Sequence, residues 1–136
     1  MCGNRREETM GRARVVVVED EPEMLEILLV NLEQAGYSVV PARDGVEACR
    51  LLDAADCDAI VLDLGLPGMS GFRLASLLRR DPRLRGVPVL VVTAFQFEEV
   101  EDIAEEGVQG FLTKPFDPAD LVDRLDFVLS RAAGVV

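Results

Sequence analysis

Short apolar runs alternate with longer segments of helical spacing along the whole chain. The runs cover residues 14–18, 37–40, 58–62, 88–92 and 109–113. Continuous apolar runs of this length are typical of strands that are buried on both faces of a parallel sheet. The pattern therefore predicts five parallel strands.

Between these runs, apolar residues recur every three or four positions, which predicts amphipathic helices. Asp44 and Asp117 stand where N-cap residues of two of them are expected. The segment 97–106 has the weakest stripe and is predicted to be a further helix. The clearer stripes are Leu25-Leu28-Leu29-Leu32, Val46-Leu51-Leu52, Leu74-Leu77-Leu78 and Leu121-Leu125-Val128-Leu129.

Strands that alternate with helices form a parallel sheet through right-handed crossovers, with helices on both faces. The predicted fold is α/β: a doubly wound five-stranded parallel sheet of order 2-1-3-4-5, a flavodoxin-like three-layer sandwich with five helices. Ligands bind such sheets beyond the carboxyl ends of the strands, near the switch point between strands 1 and 3. We therefore expect a functional site there.

Length and composition indicate a single domain, since the chain has 136 residues, of which 49% are hydrophobic. We predict a disordered leader at 1–13, the domain at 14–132 and a short C-terminal stub at 133–136. No apolar run approaches the roughly 18 residues of a membrane span, and the N-terminus lacks a signal-peptide core. A cytoplasmic protein without membrane contact is therefore expected.

Charge and the rarer residue types exclude several functions. The net charge of −11 repels a phosphate backbone, so direct nucleic-acid binding is not expected. Histidine is absent, which excludes a Ser-His or Cys-His pair and a histidine zinc site within this chain. Cys2, Cys49 and Cys57 follow no metal or redox spacing and are predicted to be buried reduced thiols.

Polar side chains stand at the carboxyl ends of four predicted strands. Two like charges about 4 Å apart cost about 4 kcal/mol at an effective dielectric of 20, so stability does not explain clustered acids. A hard divalent cation removes this repulsion, and Mg²⁺ binds through one or two carboxylates with water and phosphate oxygens. The residues are Glu19, Asp20 and Glu21 after the first strand, Asp63 after the third, Thr93 in the fourth and Lys114 in the fifth.

Lys114 is the only lysine of the chain. A compact ammonium suits a single phosphoryl oxygen, although a plain surface lysine is the alternative. Asp63 is either a turn acid or an acyl-phosphate acceptor, a role that a metal and a hydroxyl nearby would favour. Thr93 is informative only together with these residues, because β-branched residues are common in strands.

The motifs VVVVEDE, DLGLPGMSG, VVTA and FLTKPF occur in this order, each at a strand end. Asp20 and Asp63 are 43 residues apart, and Asp63 and Thr93 are 30 apart. With these motifs the chain resembles the receiver domains of bacterial two-component response regulators over about residues 14–132. Each motif alone is weak, but four in register are specific.

The resemblance implies that Asp63 accepts a phosphoryl group from a sensor histidine kinase or a histidine phosphotransfer protein. It also implies a Mg²⁺ site, in which Mn²⁺ can substitute. Its direct ligands would be Asp20, Asp63 and the carbonyl oxygen of Gly65, with Glu19 acting mostly through water. Such a domain is a signalling switch rather than an enzyme.

The resemblance further implies that Lys114 and Thr93 bind phosphoryl oxygens and that the Lys114–Pro115 peptide bond is cis. Thr93 would then move toward the phosphoryl group, and Phe111 would move inward behind it. This movement would change the face formed by the fourth predicted helix, the fifth strand and the last helix. That face would bind a partner or a second copy of the chain in a homodimer.

Some residues depart from the pattern of the family. Phe111 replaces the more usual tyrosine, and Thr93 and Lys114 are 21 residues apart, about one fewer than expected. Phe95 and Phe97 are interpreted as local core packing, with an exposed partner-binding patch as the alternative. Phe95 also lies where it would restrict water and slow hydrolysis of the acyl phosphate.

Two other functions remain open from the sequence. The first is a small Mg²⁺-dependent aspartyl-phosphate phosphatase of the haloacid-dehalogenase type, but its general acid would stand at Gly65. The second is a receiver-like interaction module that is not phosphorylated. The output is also open, because the chain is either a free-standing receiver or a fragment of a larger regulator or hybrid kinase.

Overall fold

The computed structural model describes residues 13–96 and 108–132. Five strands form one parallel sheet of order β2-β1-β3-β4-β5, which confirms the predicted α/β fold and strand order. The strands are β1 (Arg14–Val18), β2 (Ser38–Ala42), β3 (Ala59–Leu62), β4 (Val89–Thr93) and β5 (Gly110–Thr113), and the helices are α1 (Pro22–Gln34), α2 (Gly45–Ala54), α3 (Gly71–Arg80) and α4 (Pro118–Ala132).

Four of the five predicted helices are therefore present in the described residues. The predicted helix at 97–106, the C-terminal stub at 133–136 and all but the last residue of the predicted leader lie outside them. The leader's last residue, Ala13, accepts a hydrogen bond from the Ser38 N–H and so already pairs with β2. No helix in the described part of the chain is both long and apolar enough to cross a membrane.

The sheet separates two cores, and the valine run of β1 contributes to both. Val16 and Val18 pack with residues of α2 and α3, in what we call the α2–α3 core. Val15 and Val17 pack with residues of α1 and α4, in the α1–α4 core. All four side chains are at most 1% exposed, because successive residues of a strand point to opposite faces.

Helix ends follow the predicted capping pattern. The Asp44 carboxylate accepts the Glu47 N–H, at 2.8 Å between heavy atoms, and the Glu47 carboxylate in turn accepts the Arg43 N–H. The Asp117 carboxylate accepts the Ala119 N–H at 2.9 Å, at the start of α4. These bonds satisfy backbone donors that the first turn of a helix leaves unpaired.

A buried tyrosine links α4 to the segment that precedes β2. Tyr37 directly precedes β2, is 8% exposed, and donates its hydroxyl hydrogen bond to the Asp126 carboxylate. Burial, followed by the adjacent carboxylate, raises the pKa of Tyr37 above its ordinary value of 10.0. The folded protein therefore holds the phenolic proton more tightly than the unfolded chain does.

This difference predicts how stability depends on pH at alkaline values. The contribution of Tyr37 is fully present below about pH 10 and decreases as the pH rises further, because only the unfolded chain then ionises readily. Tyr37→Phe should lower the free energy of unfolding by about 1 kcal/mol at neutral pH and make its decline above pH 10 shallower. Urea unfolding measures both effects. An equally steep decline in the variant would contradict the assignment.

Candidate functional site

Pairing of β1 with β3 brings the predicted acids together. The two strands are parallel, with Val18 opposite Leu62, so the residues that follow them, Glu19 and Asp63, meet at one edge of the sheet. The Asp63 N–H donates to the Val18 carbonyl at 3.1 Å, which continues the pairing one residue beyond β3. The sheet therefore fixes the backbone at the site.

Glu19, Asp20 and Asp63 form a cluster that could hold a metal ion. One carboxylate oxygen from each lies within 4.8 Å of the other two. Glu19 is 1% exposed and Asp63 8% exposed, whereas Asp20 faces solvent. A set of hard oxygen donors with one open side fits Mg²⁺, which retains water and takes only one or two carboxylates.

Lys114 partly compensates the charge of this cluster. Its ammonium nitrogen lies 2.8 Å from Oε1 of Glu19 and 3.4 Å from Oδ2 of Asp63. The ion pair with Glu19 was not predicted from the sequence, which assigned Glu19 to the metal alone. The cluster has three carboxylates and this ammonium pairs with two of them, so the site keeps an excess of negative charge.

Burial and hydrogen bonding act in opposite directions on this ion pair. Burial raises the pKa of Glu19, and the hydrogen bonds donated by Lys114 and the Glu21 N–H oppose this effect only in part. Burial lowers the pKa of Lys114, but its bonds to Glu19 and Asp63 outweigh burial and raise it. The ammonium therefore stays protonated throughout the neutral range, available for a phosphoryl oxygen.

An open pocket of about 430 Å³ lies beside Asp63. Thr93, at the end of β4, is 1% exposed, and its hydroxyl accepts a long hydrogen bond of 3.4 Å from the Phe95 N–H. The pocket is lined by Asp63, Gly65, Thr93, Ala94, Phe95 and Lys114. Four residues that the sequence singled out for phosphoryl or metal binding thus share one space.

The turn after β3 shapes the floor of this pocket. The Gly65 N–H donates to Oδ1 of Asp63 at 3.2 Å and so orients the carboxylate. A Cβ atom on Gly65 would lie 3.8 Å from Cε2 of Phe95 and 4.0 Å from Oδ1 of Asp63. The metal-binding role of the Gly65 carbonyl remains a prediction. The Lys114–Pro115 peptide bond at the opposite wall is cis.

Phe95 packs locally, as its sequence context predicts, and its ring also contacts an aromatic residue of α3. It is half-buried against the α2–α3 core, and its ring meets Phe72 edge to face with centroids 5.8 Å apart. Phe72 is 37% exposed at the start of α3 and follows Gly71, the last residue of the DLGLPGMSG motif. Phe97 lies outside the described residues.

Phe111 is half-buried on the α2–α3 side of β5. Its carbonyl accepts a hydrogen bond from the guanidinium of Arg124 on α4, a contact without a signal in the sequence.

Cys49 and Cys57 are free thiols, but they are half-buried rather than fully buried as predicted, since each lies at the margin of the α2–α3 core. Cys2 lies outside the described residues.

Gly71 allows α3 to approach the site closely. A Cβ atom there would lie 2.3 Å from the Asp63 carbonyl oxygen and 2.5 Å from Cα of Leu64. The Gly71 N–H also donates to the Leu64 carbonyl at 3.1 Å. Backbone surrounds this position, so a side chain can be accommodated only if the turn that carries Asp63 moves.

We therefore expect Gly71→Ala to lower the free energy of unfolding by about 2 kcal/mol through overpacking. Urea unfolding would measure this loss. Gly86→Ala is the matched control, because a Cβ atom at Gly86 meets nothing within 4 Å. If the two variants had equal free energies of unfolding, the turn that carries Asp63 would be able to move aside without loss of stability.

The family model described as response regulator receiver domain matches residues 15–126. The chain therefore belongs to the response regulator receiver domain family, which confirms the resemblance inferred from the sequence. Proteins of this class are typically signalling switches in two-component systems rather than classical enzymes.

Curated relatives include regulators much longer than this chain. It is 37% identical over 119 residues to the DNA-binding dual master transcriptional regulator RpaA of Synechocystis, covering 87% of this chain and 49% of that protein. It is 38% identical to the phosphate regulon transcriptional regulatory protein PhoB of Escherichia coli, covering 87% and 52%. The chain thus spans about half the length of these relatives.

Other relatives are similar in length. The chemotaxis protein CheY-3 of Vibrio cholerae is 34% identical, with 87% of this chain and 92% of that protein covered. The solved structure of CheY4 from Vibrio cholerae has a TM-score of 0.81 at 31% identity and covers 86% and 98%. A putative response regulator from Chloroflexus aurantiacus gives 0.84 at 32% identity, covering 88% and 99%.

Proposed function

We propose that this receiver domain accepts a phosphoryl group on Asp63 from a phosphohistidine of a partner protein, and that the acyl phosphate switches its binding face. The observation that carries the proposal is the convergence of three acids and the only lysine at one edge of the sheet, beside an open pocket. The 136 residues contain no histidine, so the donor imidazole lies outside them.

The metal that fits this site is Mg²⁺, with Mn²⁺ as a substitute. Asp20 and Asp63 would hold it directly, together with the Gly65 carbonyl, while Glu19 would act mostly through water. When bound, the cation neutralises negative charge on the carboxylates and on the incoming phosphoryl oxygens. The closely spaced carboxylate oxygens of the cluster support this assignment.

The protein's part in the transfer is to position the reacting groups and balance their charge. A carboxylate oxygen of Asp63 forms a bond to phosphorus as the bond from phosphorus to the donor imidazole nitrogen breaks, and the imidazole leaves as the neutral ring because it takes up one proton from water. Lys114, already 3.4 Å from Oδ2 of Asp63, hydrogen-bonds a phosphoryl oxygen. Thr93, whose hydroxyl accepts a long hydrogen bond of 3.4 Å from the Phe95 N–H, would turn toward another phosphoryl oxygen.

Phosphorylation adds about −1.5 to −2 charge and three acceptor oxygens, which is enough to reorganise this small site. Movement of Thr93 would leave space for Phe111 to move inward. The surface of β5 and α4 would change as a result, and we propose that this surface binds a partner or a second copy of the chain. The donor would be a sensor histidine kinase or a histidine phosphotransfer protein.

The two kinds of relative differ in their length and in the function that their names state. Those named as transcriptional regulators are about twice as long as this chain, whereas the chemotaxis proteins are similar in length. The proposed switch could act on an effector domain in the same protein, or it could act on a separate partner protein. Direct nucleic-acid binding by this domain is disfavoured by its net charge of −11.

The phosphatase alternative receives no support from the site. Such an enzyme needs a general acid two residues after the nucleophile, but Gly65 stands there and offers Asp63 only its N–H. The interaction-module alternative leaves unexplained why a half-buried lysine pairs with two carboxylates. A phosphorylated switch accounts for both observations.

Asp63→Asn tests the phosphoacceptor directly. The wild-type protein should gain one phosphoryl group from acetyl phosphate with Mg²⁺, and the variant should gain none, because an amide oxygen cannot form the acyl phosphate. Intact-mass spectrometry measures the adduct. Asp56→Asn, at a side chain that is 95% exposed, is the matched control and should label normally. Undiminished labelling of Asp63→Asn would refute the assignment.

Phe95 should lengthen the life of the acyl phosphate. Its ring borders the pocket beside Asp63 and is braced by Phe72, so it occupies space through which water would reach phosphorus. Because Gly65 has no side chain, Phe95 is the large apolar group at this wall. Excluding water from a reactive intermediate protects it from hydrolysis.

Phe95→Ala should therefore speed loss of the phosphoryl group by about tenfold after removal of the donor. The decay of the labelled mass over time measures the rate. Phe127→Ala serves as the control, since Phe127 is 56% exposed on α4 and its decay rate should match the wild type. A rate unchanged by Phe95→Ala would show that water reaches phosphorus by another path.

A further inference from the structure

An aromatic pair joins the start of α3 to the segment that follows β4. The rings of Phe72 and Phe95 meet edge to face, with their centroids 5.8 Å apart and their planes at 65°. Phe72 follows the turn after β3, whereas Phe95 comes two residues after the end of β4. Aromatic pairs in this arrangement are more favourable than their buried area alone accounts for. The pair therefore links two of the segments that form the pocket beside Asp63.

Phe72 has a fixed position relative to the backbone of the phosphoacceptor. It is the second residue of α3, and the first, Gly71, packs so closely that a Cβ atom there would lie 2.3 Å from the Asp63 carbonyl oxygen. The Ser70 hydroxyl caps the same helix by accepting the Arg73 N–H at 3.2 Å. The ring of Phe72 is thus carried by a helix start that is packed directly on the backbone of Asp63.

The other contacts of Phe95 leave room for such a support. Its N–H donates a hydrogen bond of 3.4 Å to the Thr93 hydroxyl, and a bond of this length is weak. Its ring packs against the α2–α3 core and borders the pocket beside Gly65, which has no side chain to lie against it. Even a Cβ atom on Gly65 would lie 3.8 Å from the ring. Phe72 therefore adds an aromatic contact to the Phe95 ring from α3.

Phe72 is not one of the described residues that line the pocket, and it is 37% exposed. We propose that Phe72 is a positioning residue that lengthens the life of the acyl phosphate by holding the Phe95 ring beside Asp63. This inference rests on the functions proposed for Asp63 and Phe95. A ring that is held less firmly leaves phosphorus open to water for more of the time, and water is the reactant that removes the phosphoryl group.

The test measures decay of the phosphoryl adduct on the whole chain, after labelling with acetyl phosphate and Mg²⁺ and removal of the donor. Phe72→Ala should speed the decay by about threefold, because loss of one aromatic contact weakens the packing of Phe95 without abolishing it. Phe72→Tyr retains the ring and should decay at the wild-type rate. Intact-mass spectrometry follows both. A wild-type rate in Phe72→Ala, or equal acceleration in Phe72→Tyr and Phe72→Ala, would overturn the proposal.

A double variant distinguishes a residue that acts through Phe95 from one that acts independently. Phe72→Ala combined with Phe95→Ala should decay at the rate of Phe95→Ala alone, since a ring that has been removed cannot be positioned. Independent effects would instead multiply, so the double variant would decay about threefold faster than Phe95→Ala. That result would overturn the proposal.

Ser70→Ala is the matched control for a merely structural effect. It removes the hydroxyl that caps α3 and so weakens the same helix start, but it leaves both rings in place. Its adduct should decay at the wild-type rate. Equal acceleration in Ser70→Ala and Phe72→Ala would assign the effect to loosening of the helix and would overturn the positioning role.

NMR provides a second measurement that needs no phosphoryl group. The nuclear Overhauser contact between the Phe95 ring and the α protons of Gly65 should weaken in Phe72→Ala and persist in Ser70→Ala. An equally strong contact in Phe72→Ala would overturn the positioning role. Failure of the wild-type protein to gain a phosphoryl group would instead refute the function of Asp63, so the two failures are distinguishable.

Discussion

Repulsion between carboxylates at the end of a buried sheet is the constraint on which this structure depends. The register of β1 and β3 forces Glu19 and Asp63 to the same edge, and Asp20 adds a third charge. Glu19 has almost no contact with water to screen it, because it is 1% exposed. Isolated charges in such surroundings are costly, so the site requires cations.

One cation comes from the chain itself. Lys114 is placed at the site by the strand order, since β5 lies beyond β4 and ends at the same edge as β1 and β3. It balances Glu19 and Asp63 only in part, and the remaining negative charge favours a divalent ion over a second side chain. In the proposed function, a phosphoryl group would add negative charge that Lys114 and the divalent ion would both balance.

The sequence predicts those features that depend on local pattern. The four valines of β1 indicated a strand buried on two faces, and each pair of alternate valines does enter a different core. The strand ends indicated the site, because parallel strands end at a common edge. Strand boundaries shifted by one or two residues where propensity is ambiguous, as in β2, which includes Pro41 because an edge strand tolerates proline.

Contacts between distant segments had no such pattern to reveal them. The pairing of Lys114 with Glu19, the stacking of Phe72 on Phe95 and the bond from Arg124 to Phe111 each join residues far apart in the chain. An arginine on an exposed helical face has the same appearance in sequence whether it meets solvent or a backbone carbonyl. Only the crossing of α4 over β5 distinguishes these cases.

The position of the switch follows from the same geometry. Central strands β1 and β3 have partner strands on both sides, which suits the acids that could hold a metal ion. In the part of the chain that the structure describes, β2 and β5 are the edge strands with one partner each, so either can move at a lower cost in lost hydrogen bonds than a central strand. Phe111, which is proposed to respond to phosphorylation, lies on β5, and Lys114, which is proposed to bind the phosphoryl group, directly follows this strand. The function proposed above would thus place metal binding at the central strands and the conformational response at the edge strand.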